Sequence, residues 1–159
     1  MRPSLLDDLG LVAALRWYVD RQAQRAEFAA TFAADPIEIR LSPDIEIVCF
    51  RVAQEALTNI ARHARARQVW VTLRRSDTEL HLVIRDDGVG FDMRTGWEHT
   101  GSGGNLGLLG MQERVALLGG QLEIQSAPTQ GTEIQARFPL IAFPRWEKER
   151  RREGERGRR

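Results

Sequence analysis

The sequence predicts an α+β fold, a mixed sheet with helices packed against it. Three stretches repeat apolar residues at helical spacing, shorter stretches alternate or run apolar with β-branched residues, and Gly, Pro, Ser and Asp cluster between them. At 159 residues, 42% of them hydrophobic, the chain can bury one core and is short for two full domains.

From Ser4 to about Arg25, Leu5, Leu6, Leu9, Leu11, Val12, Leu15, Tyr18 and Val19 recur at helical spacing, so one helix is expected with a weak point at Gly10. Ala29–Phe32 and Ile37–Leu41 read as two short strands, with Asp35-Pro36 as the turn between them. Ser42-Pro43-Asp44 is a helix start: Ser caps free N–H groups, Pro suits the first helical position and Asp complements the dipole. That helix should run to about Arg65. Gln68–Arg74 and Leu80–Arg85 form a hairpin around Ser76-Asp77-Thr78. Gly88 to Gly104 holds six glycines and little periodicity, the mark of a long loop. Helical spacing returns over Leu106–Leu118 and stops at Gly119-Gly120. Leu122–Ser126 and Glu133–Phe138 are then two strands around Pro128-Thr129-Gln130-Gly131.

Composition excludes more than it selects. Lys+Arg 23 against Asp+Glu 22 leaves a formal charge of +1, so no overall field favours nucleic acid. The lone Cys49 cannot make an internal disulfide and falls among Ile45, Val48, Val52 and Ala53, as a small core residue in a reducing compartment would. The start MRPSLLDDLG has no signal-peptide apolar region, and no run approaches the ~18 apolar residues of a membrane span. After Pro144 come eight basic residues, four acidic and one apolar, a solvated tail or frayed helix with too little to bury. Its interspersed glutamates argue against a nucleic-acid arm.

Three segments carry candidate chemistry. On the helix from Pro43, Glu55, Asn59 and His63 are spaced i, i+4, i+8 and border the apolar stripe, where they could converge on a ligand. Spacing alone favours the plainer reading, border residues satisfied by water or backbone. Asp86-Asp87-Gly88-Val89-Gly90-Phe91-Asp92 follows a strand; its glycines allow close backbone approach, and a carboxylate there can accept from an amino group such as adenine's. Asp-Gly pairs are also ordinary turn residues. Gly101 to Gly110 is a glycine-rich run feeding a helix, which offers free N–H groups and a positive dipole end to phosphates. It matches neither the P-loop nor the Rossmann pattern.

The order of these segments carries the resemblance. RVAQEALTNIARHARA resembles the N box of the histidine-kinase ATPase family, DDGVGFD its first glycine box, GGNLGLLGMQERV its second and GTEIQARFPL its last. Together with RPSLLDDLGLVAALRWYVDRQ, these segments are similar to the subfamily that includes the nitrate and membrane-fluidity sensor kinases, over about Arg2 to Leu140.

The resemblance implies the Bergerat ATP-binding fold, a two-layer α/β sandwich with a flexible lid over the nucleotide, and Mg-ATP as ligand. It implies that Asn59 holds Mg²⁺, that Glu55 acts as general base or water organiser, and that Arg62 and His63 contact phosphate. Asp86 would bind the adenine amino group, with Gly88 and Gly90 shaping the pocket and Thr132 near it. Gly104, Leu106, Gly107, Leu108 and Gly110 would form the far hinge of the lid and the helix start under the phosphates. A second phenylalanine-bearing lid box between Phe91 and Gly101 is missing, which suits this subfamily's short lid.

Residues 1–25 would then be the end of the second helix of a dimerisation hairpin with its linker, 26–142 the catalytic domain and 143–159 the charged tail. His63 lies in the N box, His81 in a strand and His99 in the lid, so none stands where the family's phosphoacceptor does. The chain is expected to be a fragment or truncated product that phosphorylates a histidine on a separate hairpin, for relay to a response regulator, in the bacterial cytoplasm. No nucleic acid and no membrane contact are expected of it. Two other readings are an anti-sigma-type serine kinase, which the RPSLLDDLGL linker opposes, and a non-catalytic nucleotide-gated binding module, which retention of Glu55 and Asn59 opposes.

Overall fold

The computed structural model describes residues 4–37, 41–91 and 104–140. The element order is α1 (Ser4–Ala26), β1 (Ala29–Ala34), α2 (Pro43–Asn59) running into a π-helical turn (Ile60–Ala64), β2 (Gln68–Arg75), β3 (Glu79–Asp86), α3 (Gly104–Leu117), β4 (Gln121–Ser126) and β5 (Thr132–Pro139). The five strands form one mixed sheet in the order β1-β2-β3-β5-β4, with β1 parallel to β2 and every other pair antiparallel.

One face of the sheet supplies Val69, Val71, Leu73, Leu80, Leu82, Ile84, Ile134, Ala136 and Phe138 to the core, all buried, while alternate residues such as Trp70 and Arg85 point the other way. The helices cover the buried face through Leu15, Val19, Cys49, Val52, Ala53, Ala56, Leu57 and Val115. This is the expected two-layer sandwich. On its open face the Arg85 guanidinium lies 4.3 Å from the Trp70 ring centroid, and His81 Nε2 pairs with Gln135 Oε1 at 3.3 Å.

Local chemistry accounts for most element ends. Gly10 takes φ 81 and ψ 173, a conformation that only glycine adopts freely, and breaks α1 at the expected point. Beyond it, Tyr18 ties α1 to α2 with its hydroxyl 3.2 Å from Thr58 Oγ1 and its ring edge-on to Phe50. Ser42 Oγ accepts from Ile45 N at 3.3 Å, and Pro43, Asp44 and Glu46 occupy the first turn of α2. At the hairpin turn Ser76 Oγ accepts from Glu79 N at 3.0 Å. Gly119 N and Gly120 N donate back to Ala116 O and Val115 O, which closes α3.

Two expectations need correction. Asp35 and Pro36 form no turn; Asp35 extends the contact of β1 with β2, its N–H donating to Leu73 O and its Oδ2 accepting from Arg75 N at 2.9 Å. Ile37 and Leu41 lie in no strand, and 38–40 are outside the described residues. The helix from Pro43 is not α-helical to its end, since its last five residues form the π turn. The lid segment with His99 and the tail 143–159 lie outside the described residues.

Candidate functional site

α2 and its π turn lie over the ends of β3 and β5, and between them opens a cavity of about 210 Å³. Asn59 and His63 line it from the helix side, Asp86, Gly90 and Thr132 from the sheet side, and Leu108 from α3. Ile60, Ile84, Val89, Phe91 and Ile134 make most of the remaining wall apolar. A space below the ~300 Å³ of a complete small-molecule site suits one flat ring system, with polar groups at its rim to orient it.

Asp86 is the most deeply placed polar group, at 3% exposure. Its Oδ1 accepts from Gly88 N at 2.8 Å. Burial pushes its carboxyl above the ordinary carboxylate range, and the Gly88 and Thr132 backbone N–H groups pull part of the way back. A buried carboxylate with an outward acceptor position is a receptor for an N–H donor.

The loop after Asp86 is held from three sides. Asp87 Oδ1 accepts from Arg67 N and Gln68 N at 2.9 and 3.0 Å, Val89 N donates to Ala64 O at 2.7 Å, and Thr129 N donates to Val89 O at 2.7 Å. Gly88 passes so close to the π turn that a Cβ there would overlap the Ala64 carbonyl. At the far end Phe91 N donates to Ser126 Oγ at 2.9 Å.

The remaining expected site residues divide. Glu55, one turn before Asn59, is not on the cavity wall; it faces Gly107, where a Cβ would meet its carboxylate. Burial raises the Glu55 carboxyl above its ordinary range, and the Arg62 charge offsets part of that. Arg62 itself is exposed and off the wall. Gly104 and Leu106 lie in the first turn of α3, which carries no acidic residue that would repel an anion at its N-terminal end. Gly88 and Gly107 act by proximity from behind the wall, and Gly110 has open space where a Cβ would sit. The apolar lining and Ser126 escape sequence reading, because Ile84 and Ile134 look like any core strand residues and Ser126 like a strand end.

A ring-sized apolar slot with a buried carboxylate is thus set between a helix and a sheet of an α/β sandwich, beside a glycine-fed helix start. The chain belongs to the histidine kinase-, DNA gyrase B- and HSP90-like ATPase family, whose model matches residues 44–142. It is 39% identical over 143 residues to an uncharacterized sensor-like histidine kinase of Chloroflexus aurantiacus, covering 88% of this chain and 24% of that protein. It is 35% identical over 142 residues to the signal transduction histidine-protein kinase/phosphatase DegS of Bacillus subtilis, covering 87% of this chain and 36% of DegS. The sensor histidine kinase ComP of the same organism is 37% identical over 140 residues, covering 88% of this chain and 18% of ComP. The chain thus spans 18–36% of the length of the curated relatives it matches. In fold it is similar to the mycobacterial sensor histidine kinase MprB, with a TM-score of 0.61 at 22% identity over 79% of this chain and 91% of that one. The blue-light activated histidine kinase of Erythrobacter litoralis gives 0.62 at 24% identity over 82% and 42%. No helix among the described residues is long and apolar enough to cross a membrane.

Proposed function

We propose that this chain is the Mg-ATP-binding catalytic domain of a two-component sensor histidine kinase and moves the γ-phosphoryl group to a histidine on a dimerisation hairpin. The observation that carries the reading is the meeting of Asn59, His63, Asp86 and Thr132, distant in sequence, on one cavity. In this reading Asp86 accepts from the adenine amino group, with Gly88 and Gly90 letting the backbone close around the ring. The phosphates run from the cavity mouth toward the N-terminal part of α3, to which Gly104, Leu106, Gly107, Leu108 and Gly110 belong.

Among the described residues no group of three or more His, Cys, Asp or Glu side chains could cage a metal. The candidate ligand is Asn59 at the cavity wall, whose amide oxygen is a hard neutral ligand of the kind that suits a Mg²⁺ keeping most of its coordination from phosphate and water. Bound there, the ion would neutralise charge on the phosphate oxygens. Glu55, with its raised carboxyl, takes the imidazole proton directly or through a water it orders. His63 and Arg62 steady the phosphates from the end of the helix. The bond from the γ-phosphorus to the bridging oxygen breaks, ADP leaves with the electron pair, and a P–N bond forms on the acceptor histidine.

Residues 1–25 serve in this reading as the end of the hairpin's second helix and its linker, and the phosphohistidine passes its group to a response regulator. In this reading the domain works in the bacterial cytoplasm, in keeping with the use of ATP. The test is incubation with γ-labelled ATP and a separately made dimerisation hairpin, followed by measurement of acid-labile, base-stable phosphate. Label on the hairpin supports the assignment, and its absence with every hairpin of the DegS and ComP type overturns it.

A further inference from the structure

Five glycines among the described residues stand where an added Cβ would overlap another atom, and one of them differs from the rest. At Gly88, Gly90, Gly120 and Gly131 the nearest atom is a backbone carbonyl oxygen, which cannot give way while the fold is kept. At Gly107 the three nearest atoms beyond its own stretch of helix are Oε1, Cδ and Oε2 of Glu55, the last at 3.0 Å. A carboxylate at the end of a flexible side chain can give way, so glycine at this position guards the place of a side chain and not a path of the backbone. The backbone does not call for glycine either, because residue 107 lies inside α3 and alanine is the better helix former.

Little else sets where that carboxylate stands. No hydrogen bond among the described residues reaches it, and the Arg62 charge attracts it without fixing its direction. α3 keeps its distance from α2, since Leu108 is 3% exposed on the cavity wall and Val115, two turns on, is fully buried. The slot over the Gly107 α-carbon therefore keeps Glu55 half-buried, one turn from Asn59, where shielding from water raises its affinity for a proton.

We propose that Gly107 is a positioning residue for Glu55: by carrying no side chain it leaves the slot in which the carboxylate waits for the imidazole proton, and so serves the transfer step more than nucleotide binding. The proposal rests on the reading of Glu55 as general base. One ring nitrogen gives its proton to a Glu55 carboxylate oxygen as the lone pair of the other bonds to the γ-phosphorus, and ADP leaves with the electron pair of the broken P–O bond. A methyl group at this position turns the carboxylate out of the slot and leaves α3, the cavity wall and Asn59 in place.

The test uses the full chain and three measurements: ATP dissociation constants by calorimetry, single-turnover transfer of labelled phosphate to the separately made hairpin, and the Glu55 carboxyl titration by NMR without nucleotide. In Gly107→Ala the transfer rate falls about a hundredfold, the scale of a displaced proton acceptor. ATP affinity stays within about threefold of wild type, because the loss falls on the transition state. The Glu55 titration moves down toward the ordinary carboxylate range, and Tm holds or rises. In the Glu55→Asp background, where the carboxylate is one methylene shorter and clears the methyl group, Gly107→Ala slows transfer less than about threefold. The proposal is overturned if Gly107→Ala weakens ATP as much as it slows transfer, if the Glu55 titration does not move, or if the loss is as large in the Glu55→Asp background. A Gly107→Ala chain that does not fold also overturns it, since more than a carboxylate then had to give way. A wild type that binds ATP and labels no hairpin overturns the general-base reading, and the proposal with it.

Discussion

Replacing Gly88 by alanine tests how tightly the first glycine loop must lie on the π turn. The added Cβ would overlap the backbone carbonyl of Ala64 and come within 2.8 Å of the Ala64 Cβ, and no side-chain rotation relieves a clash with backbone. The loop must lift, which breaks Val89 N to Ala64 O at 2.7 Å and strains Gly88 N to Asp86 Oδ1 at 2.8 Å. Two hydrogen bonds at about 1 kcal/mol each, with about 1 kcal/mol of residual overpacking, put the loss near 3 kcal/mol. For a domain of this size that corresponds to a fall in Tm of about 10 °C. Because Asp86 loses an N–H donor and Val89 leaves the wall, nucleotide affinity should fall with it. Thermal unfolding by circular dichroism and a nucleotide titration read the two effects. A Tm within about 2 °C of wild type, on the same scale, with unchanged ATP affinity would show that the loop does not need this contact.

Asp86→Asn should uncouple stability from binding. Because the folded carboxyl is raised, the fold gains stability from Asp86 as pH drops toward the ordinary carboxylate range and loses it as pH rises through the folded pKa. The amide therefore leaves Tm at pH 7 at or above wild type while ATP affinity falls about tenfold or more; a lower Tm with unchanged affinity would contradict both halves. Asn59→Ala should cut Mg-dependent phosphorylation of an added hairpin about a hundredfold or more, and undiminished transfer would remove Asn59 from the metal. Cys49 is buried, and burial together with the Glu46 charge pushes its thiol far up. It should resist maleimide in the native protein and react only in denaturant, so prompt native labelling would refute its core placement.

What the sequence discloses is mostly local. The Ser42 cap, the Gly10 break, the Ser76 turn and the Gly119-Gly120 stop each depend on side-chain or backbone chemistry within a few residues, and each is found where expected. Strand order is not of that kind. Placing β5 between β3 and β4 and laying β1 parallel to β2 depends on which apolar faces pair across the chain, and Ala29–Ala34 is too weakly patterned to announce a partner. For the site, the polar members Asn59, His63, Asp86 and Thr132 are legible from order and resemblance. Val89 and Phe91 become wall residues only because hydrogen bonds to Ala64, Thr129 and Ser126 fold the loop back.

The expected trio of Glu55, Asn59 and His63 is divided near the point where the α-helix gives way to the π turn. In an α-helix four residues overshoot a full turn by about 40°, so three residues at i, i+4, i+8 would fan steadily around the axis. Between Glu55 and Asn59 the helix is α, and Glu55 accordingly sits off the cavity, against Gly107. From Ile60 the wider winding makes four residues fall short of a full turn, so His63 departs from that steady fan, and it shares the wall with Asn59. The same turn ends at Arg65 in a left-handed conformation and leaves the Ala64 carbonyl free to receive Val89 N. The irregular turn thus carries one polar wall residue, His63, and supplies the backbone acceptor that seats the glycine loop. Ile60-Ala-Arg-His-Ala contains neither Gly nor Pro, so nothing in its residue types marks the irregularity. It lies between a cavity-lining asparagine and the acceptor of Val89 N.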